Sequence, residues 1–340
     1  MIILGIETSC DDTCIAIYDT KSGLITTKKY TQTIHTIFGG VIPKFSSFYH
    51  LNKIIPIIKS LFFNFQIHTT TINAIAYTAG PGLYQSLLIG AYIAYSISYT
   101  LKLPILGINH LEGHIFSAMI NKKKPDFPFI CLLISGGNTQ LIDVQNIGHY
   151  KILGESKDVS LGETFDKIAK VLKLYYPGGV RLSHLACFGK IKKQNFPKIL
   201  RNNITFSFSG LKTYILNYLK QFKYTNKYQY KANLAKSFEE YVLNMLSYKC
   251  YKALINYGRS CLLISGGVSA NKTLRKHFYL FFKNKLNNFQ ITFPDQVLCT
   301  DNAAMIAYVG ALRLTSGEKI TNKLLIRPTW CLEELKYPLF

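Results

Sequence analysis

Apolar and polar positions come in blocks at the start of the chain. Ile2 to Ile6 is apolar around Gly5, Glu7 to Thr13 is polar, and Cys14 to Tyr18 is apolar again, which predicts a strand, a turn and a strand. The rhythm returns at Phe129 to Val144. There an apolar run ends in Ser135-Gly136-Gly137-Asn138-Thr139, and Gln140 to Val144 follows. A third occurrence begins at Cys261, where the heptapeptide Cys261 to Gly267 repeats Cys131 to Gly137 letter for letter, 130 positions on. The alternative to duplication is two convergent strand-to-turn junctions, and in either case both copies are expected to be buried strands ending in glycine turns. Between these blocks, Leu51 to Phe63 and Leu83 to Leu101 read as apolar helices. Asn233 to Tyr257 carries Leu234, Phe238, Val242, Met245 and Leu246 at helical spacing, a core-facing stripe. Strands alternating with helices predict an α/β fold, and the repeated glycine hairpins predict two similar lobes facing a cleft. Backbone N–H groups of such hairpins can hold phosphate without a Walker lysine, and neither the Walker nor the Rossmann glycine signature occurs.

No Asp, Glu, Lys or Arg occurs between Ser60 and Leu101, and Leu83 to Leu101 has the length of a bilayer span. Its Gln85, Ser86, Ser96, Ser98 and Thr100, and the Gly80-Pro81-Gly82 break before it, favour a core helix instead, so no membrane is expected. With 48% hydrophobic and 17% charged residues, the 340-residue chain can build real cores and is no candidate for disorder. Forty Lys and Arg against 18 Asp and Glu give a net charge of +22, which argues against cationic substrates and suits a polyanionic partner such as nucleic acid or anionic lipid. The wealth of Ile, Lys, Asn, Tyr and Phe offers a second source of that charge, compositional drift. Lysine-rich pieces at Lys122 to Lys124, Lys190 to Lys193, and Lys283 with Lys285 read as surface loops. The eight cysteines form no CxxC pair, and the strand-like opening is no secretory signal, so free thiols in a reducing compartment are expected.

Candidate chemistry begins at His110-Leu111-Glu112-Gly113-His114. At a helix start, histidines at i and i+4 share one face and can bind one metal ion. The residue after His110 is leucine, so the glutamate base of a metalloprotease is missing. The candidate third ligand is Asp301, which heads the small-residue run Asn302-Ala303-Ala304-Met305; the alternative is a plain helix cap. Two imidazoles and a carboxylate suit iron or zinc. Gly162 to Lys170 reads as a polar helix start, Tyr176-Pro177-Gly178-Gly179 as a turn, and Phe206 to Thr213 as a strand ending in a glycine turn. Ser265 to Asn271 would aim a backbone nest and an amide at a nucleotide.

Together these segments resemble the tRNA N6-adenosine threonylcarbamoyltransferase family, once called O-sialoglycoprotein endopeptidase. The matching runs are GIETSCDDTCIAIYD at 5–19, YTAGPGL at 77–83, HLEGH at 110–114, SGGNTQ at 135–140, GETFDKIAK at 162–170, YPGG at 176–179, FSFSGLKT at 206–213, SGGVSAN at 265–271, DNAAMIA at 301–307 and IRPTW at 326–330. They span nearly the whole chain in family order, and the last looks like the bacterial branch. The resemblance implies the two-lobed fold of actin, Hsp70 chaperones and sugar kinases. We expect one lobe from 1–108 plus about 302–335 and the other from 109–301. It also implies the reaction, transfer of threonylcarbamoyl from threonylcarbamoyl-AMP to N6 of adenosine 37 in tRNAs reading ANN codons. By residue-wise match, His110, His114 and Asp301 hold one divalent metal ion, iron first and zinc second. Leu133, Ile134, Ser135, Gly136 and Gly137, with Asp166, Gly179 and Asn271, form the adenylate site. Asp11 and Asp12 are candidate proton acceptors, with no catalytic base assigned. The implied partners are tRNA and TsaB-like and TsaE-like proteins, in the cytoplasm.

The chain departs from the family pattern at Lys44 and Phe48, which stand for a glutamate and an arginine, at Gln85 for a glycine, at Asn138 for a histidine and at Val180 for a proline. The first three put partner docking in question more than chemistry. The rival readings are a kinase or ATPase of the same fold and a non-catalytic nucleotide-binding scaffold. Neither needs the histidine pair.

Overall fold

The computed structural model describes residues 1–120, 125–192, 194, 196–197, 203–221, 228–286, 289–318 and 324–335. In chain order it contains β1 (Ile2–Glu7), β2 (Asp12–Asp19), β3 (Gly23–Thr31), α1 (His35–Phe38), α2 (Pro43–Asn64), β4 (Ala74–Gly80), α3 (Tyr84–Leu101), β5 (Ile105–Asn109) and α4 (His110–Ser117). There follow β6 (Phe129–Ile134), β7 (Thr139–Asn146), β8 (His149–Glu155), α5 (Leu161–Val171), α6 (Gly178–Cys187), α7 (Ser209–Gln221), α8 (Tyr228–Tyr257), β9 (Cys261–Ser265), α9 (Lys272–Lys283), β10 (Gln290–Thr292) and α10 (Ala303–Thr315).

The chain divides into two compact units. The first holds Met1–Lys124, Asn146–Tyr150 and Pro294–Phe340; the second holds Pro125–Gln145 and Lys151–Phe293. The first unit's sheet has the order β3-β2-β1-β4-β5, with β1 antiparallel to β2 and parallel to β4, and β4 parallel to β5. The second sheet runs β10-β9-β6-β7-β8, with β6 antiparallel to β7 and parallel to β9, and β9 parallel to β10. The two orders are one topology: a central first strand, a hairpin on one side and parallel strands on the other. Strands β4 and β6 are buried along their whole length, as expected of near-continuous apolar runs covered on both faces.

The letter-for-letter repeat has a different meaning from the one its pattern suggests. Its two copies occupy β6 and β9, neighbours in the same sheet, with Cys131 opposite Leu263 and Leu133 opposite Ser265. After β9 the chain forms no hairpin; a 3-10 turn at Gly267–Ala270 leads into α9, capped by Asn271. Two adjacent buried parallel strands impose the same apolar run and the same sharp exit, so the repeat marks equal environments within one unit. The duplication between units lies in the β1–β2 and β6–β7 hairpins. The expected strand at Phe206 is also corrected. Phe206 makes only an isolated bridge to Ser156, and Ser209 and Gly210 open α7. The Asp158 carboxylate causes this by accepting from the Phe208 and Ser209 N–H groups and both serine hydroxyls, Ser207 and Ser209. That array holds its pKa well below the usual carboxylate range, despite opposing burial.

No helix among the described residues is long and apolar enough to cross a membrane. Lys44 and Phe48 on α2 and Gln85 on α3 are exposed. Of the lysine-rich pieces, Lys122 to Lys124 and Lys193 lie outside the described residues, while Lys190, Lys192, Lys283 and Lys285 are exposed.

Helix α10 lies tightly against the first sheet because of small residues on both sides. A Cβ added at Gly5 would lie 2.4 Å from the Ala303 carbonyl oxygen and 2.9 Å from Ala307 Cβ, and one at Gly310 would lie 2.6 Å from Ala76 Cβ. Gly5→Ala should therefore cost about 1–3 kcal/mol through overpacking. Gly136→Ala, whose Cβ meets nothing within 4 Å, should leave stability unchanged. Urea unfolding of both variants checks the contrast.

Candidate functional site

The first unit gathers its chemistry where β1 and β5 end and α4 and α10 begin. Asn109 closes β5 and caps α4, its side chain accepting from the N–H groups of Leu111 at 2.9 Å and Glu112 at 3.3 Å. Its amide donates to the Trp330 carbonyl, tying the helix start to the 326–330 segment. His110 and His114 then stand one turn apart on one face, ring centroids 4.6 Å apart. Gly113 between them leaves room for α10, since a Cβ there would sit 3.0 Å from Met305 Cγ.

Asp301 reaches both rings. Its Oδ1 is 3.2 Å from His114 Nε2 and 3.6 Å from His110 Nε2. The capping role considered for Asp301 belongs to Asn302, whose side chain accepts from Met305 N–H at 2.9 Å. The Asp301 carboxylate is thereby released toward the histidines. Its backbone is held from another side, the carbonyl accepting from Lys29 Nζ at 3.2 Å and Cys14 Sγ at 3.5 Å. Lys29 also pairs with Asp12 at 2.5 Å, and Thr31 donates to the other Asp12 oxygen at 2.6 Å.

Sequence reasoning missed Glu7, the last residue of β1. It is fully buried and accepts at one oxygen from Ser9 N–H (2.5 Å) and at the other from the Thr78 hydroxyl and from His110 Nδ1 (3.0 Å). The only available signal was a single carboxylate ending an apolar run. Lys29, on the solvent-facing edge strand β3, gave none.

Burial works against every charge here, and the charges work against burial. Burial disfavours the charged form of His110, yet Glu7 and Asp301 outweigh it and push its pKa up to about 9. Burial pulls His114 below the usual imidazole value, with Asp301 only partly offsetting it. For Asp301, burial is outweighed by the two histidines, and its pKa falls well below the carboxylate range. Asp12 is pushed up to about 6 by burial, against Lys29.

The donor set fits a divalent metal. Candidate ligand atoms of His110, His114 and Asp301 all lie within 4.8 Å of one another. His114 is fully buried; among the described residues its Nδ1 has no hydrogen-bond partner, and its Nε2 faces Asp301 Oδ1 at 3.2 Å. A buried imidazole nitrogen without a partner is costly unless something else satisfies it. His110 already directs Nδ1 to a carboxylate, which leaves Nε2 for coordination.

In the second unit the expected adenylate residues cluster at the C-terminal ends of β6 and β9, where open α/β sheets bind ligands. Leu133 and Ile134 are buried in β6. Ser135 N–H donates to the Asn138 carbonyl, closing the turn, and added Cβ atoms at Gly136 and Gly137 would meet open space. Gly266, at φ +86°, makes the matching exit from β9; a Cβ there would strike the Ile134 carbonyl at 2.4 Å. Asp166 Oδ1 accepts from the N–H groups of Gly178 (2.8 Å) and Gly179 (3.0 Å), the start of α6. Asn271 caps α9 through its oxygen, and its amide donates to Ser183 Oγ at 3.0 Å and the buried Glu239 at 3.1 Å. Asp166, Gly179 and Asn271 are thus joined through α6.

Solved structures share this fold at low identity. HypF from T. kodakarensis superposes with a TM-score of 0.63 at 15% identity, covering 92% of this chain and 48% of that one. The activator of 2-hydroxyisocaproyl-CoA dehydratase from Clostridium difficile, with bound ADPNP, gives 0.52 at 13% identity, covering 94% and 99%. The class is the two-lobed α/β fold of actin, Hsp70 chaperones and sugar kinases, here carrying a histidine–aspartate group that could hold a metal. The family model for tRNA N6-adenosine threonylcarbamoyltransferase matches residues 23–308. Relatives bearing that name are 48% identical over 338 residues in Wigglesworthia glossinidia brevipalpis and 45% identical over 336 in Buchnera aphidicola subsp. Baizongia pistaciae (strain Bp), each match covering 98% of both chains. The chain belongs to the tRNA N6-adenosine threonylcarbamoyltransferase family: it is a transferase that modifies tRNA.

His110→Ala, His114→Ala and Asp301→Ala should each lose bound metal while remaining folded, which elemental analysis of the purified variants measures. The metal-free protein should show a linked pH dependence. The folded His110 pKa of about 9 lies above the unfolded value of about 6.5. Its contribution to stability is therefore fully present below pH ~6.5 and lost as pH rises through ~9. Urea titrations of metal-free protein across that window should show stability falling, and His110→Gln should flatten the slope.

Proposed function

We propose that this enzyme transfers the threonylcarbamoyl group from threonylcarbamoyl-AMP to N6 of adenosine 37 in tRNAs reading ANN codons, releasing AMP, in the cytoplasm. The observation that carries the reading is the convergence of buried His114 with His110 and Asp301, their candidate ligand atoms within 4.8 Å of one another, in a chain of this family. Those three residues would hold one divalent metal ion, iron first and zinc second. The metal, when bound, would act as a Lewis acid toward the carbamoyl carbonyl. The turn from Leu133 to Gly137, with Asp166, Gly179 and Asn271, would hold the adenylate, the open glycine turn letting the phosphate approach the backbone closely. The N6 amine needs placement more than a strong base. Asp12, pushed up to about 6 and held by Lys29 and Thr31, has the basicity to accept its proton near neutral pH. TsaB-like and TsaE-like proteins would be its partners, and the excess of basic residues would grip the tRNA backbone.

Mass spectrometry of tRNA nucleosides from cells lacking this protein, with and without the gene restored, tests the reading. Threonylcarbamoyl-adenosine should disappear and return, and its persistence without the gene would sink the assignment. Asn271→Ala and Asp166→Ala should each weaken binding of AMP by about 1–3 kcal/mol by calorimetry. Both also cap helices, so each should cost about 1 kcal/mol of stability. Affinity for tRNA should fall steeply with salt, while affinity for AMP falls much less.

A further inference from the structure

We propose that Glu7 is a positioning residue for the metal: by accepting a hydrogen bond from His110 Nδ1, it fixes Nε2 as the coordinating nitrogen and sets the plane of the ring. This rests on the reading of His110, His114 and Asp301 as ligands.

The placement of Glu7 carries the inference. It ends β1, the middle strand of its sheet, paired with Cys14 of β2 and one residue past the Ile6–Tyr77 pair with β4. Its carboxylate has two fixed oxygens with divided duties. Oε1 accepts from Ser9 N–H, while Oε2 accepts from the Thr78 hydroxyl and faces His110 Nδ1 at 3.0 Å. Thr78 comes from β4, the neighbouring strand. With both oxygens engaged, Glu7 is no fourth ligand, and it stands outside the group whose ligand atoms converge.

The pair of histidines shows why only one needs this help. Neutral imidazole carries one N–H and one lone pair, and the partner of one nitrogen decides which nitrogen keeps the lone pair. His110 has such a partner behind it at Nδ1, whereas His114 Nδ1 has none among the described residues and only its Nε2 faces a carboxylate, Asp301 at 3.2 Å, so His110 is the ring held from the side away from Asp301. A glutamine at position 7 reverses the instruction. If its oxygen keeps the Ser9 N–H, its amide nitrogen faces His110 Nδ1 as a donor. The ring then carries its proton on Nε2, the side that faces Asp301 at 3.6 Å, and the lone pair is withdrawn from the metal. A purely structural glutamate would affect melting and leave the identity of the coordinating nitrogen alone.

Zinc binding by equilibrium dialysis tests the proposal, with imidazole ¹⁵N spectra of the zinc-loaded protein as a second readout. Glu7→Gln should lose about 10–100-fold in zinc affinity, the usual effect of removing the partner behind a ligating histidine. Glu7→Asp keeps the charge and should fall between Glu7→Gln and wild type; it also serves if Glu7→Gln fails to fold. Wild-type spectra should show one histidine protonated at Nδ1 and coordinating through Nε2, a signature that Glu7→Gln abolishes. His114→Ala separates the two ideas. Wild-type zinc affinity in both Glu7 variants, with zinc lost in His114→Ala, overturns the role of Glu7 and leaves the ligands standing. Zinc retained in His114→Ala overturns the ligand set and the role of Glu7 with it.

Discussion

The approach of α10 to β1 is the constraint on which the first unit depends. Gly5 lets the helix backbone come within contact of the central strand, and Gly310 and Ala76 allow the same further along. Gly113 makes room for Met305 between the two histidines. The consequence is chemical. Asp301, just before α10, comes within reach of rings that belong to a helix nearly two hundred positions earlier, and Glu7, two residues past Gly5, stands behind one of them. Small residues in strand and helix are thus what bring the polar groups together.

Much of this was legible in the residues. The apolar runs located the buried strands, and the spacing of His110 and His114 gave a shared helical face, because a periodic signal reports directly on which side chains point together. Asp301 was legible as a candidate, but its choice between cap and ligand was not. That choice depends on Asn302 taking the cap, a matter of local backbone angles. Glu7 was illegible as a partner of His110 because the pairing of β1, β4 and β5 decides the contact, and register between distant strands leaves no mark within either segment. The repeat at Cys131 and Cys261 misled in its meaning for a related reason: equal burial and equal exit geometry select equal residues, whether two strands lie in different units or side by side. Phe206 read as a strand because aromatic residues favour strands, while the deciding group, Asp158, lies far off in sequence.

In the second unit, residues expected to meet the adenylate also hold helix ends. Asp166 caps α6 and Asn271 caps α9. The two duties are compatible, because a side chain locked by one set of bonds presents its remaining atoms, and the turns beside it, in a fixed direction. Asn271 joins α9 to Ser183 on α6 and Glu239 on α8, so a ligand resting on these groups would rest on three helices at once.

The first unit is interrupted by the second: its sheet comes from the opening of the chain and its covering helix α10 from after Pro294. On the ribosome, β1 and β4 therefore emerge long before the helix that shields them. Their apolar face must wait, exposed or provisionally covered, while the whole second unit is made. The histidine pair waits as well, since its carboxylate partner is synthesised last. A nascent chain stopped short of Asp301 would have two of the three candidate ligands and would lack α10 against its central strand. The three candidate ligands would therefore come together only after Asp301 had been made and α10 had packed on β1.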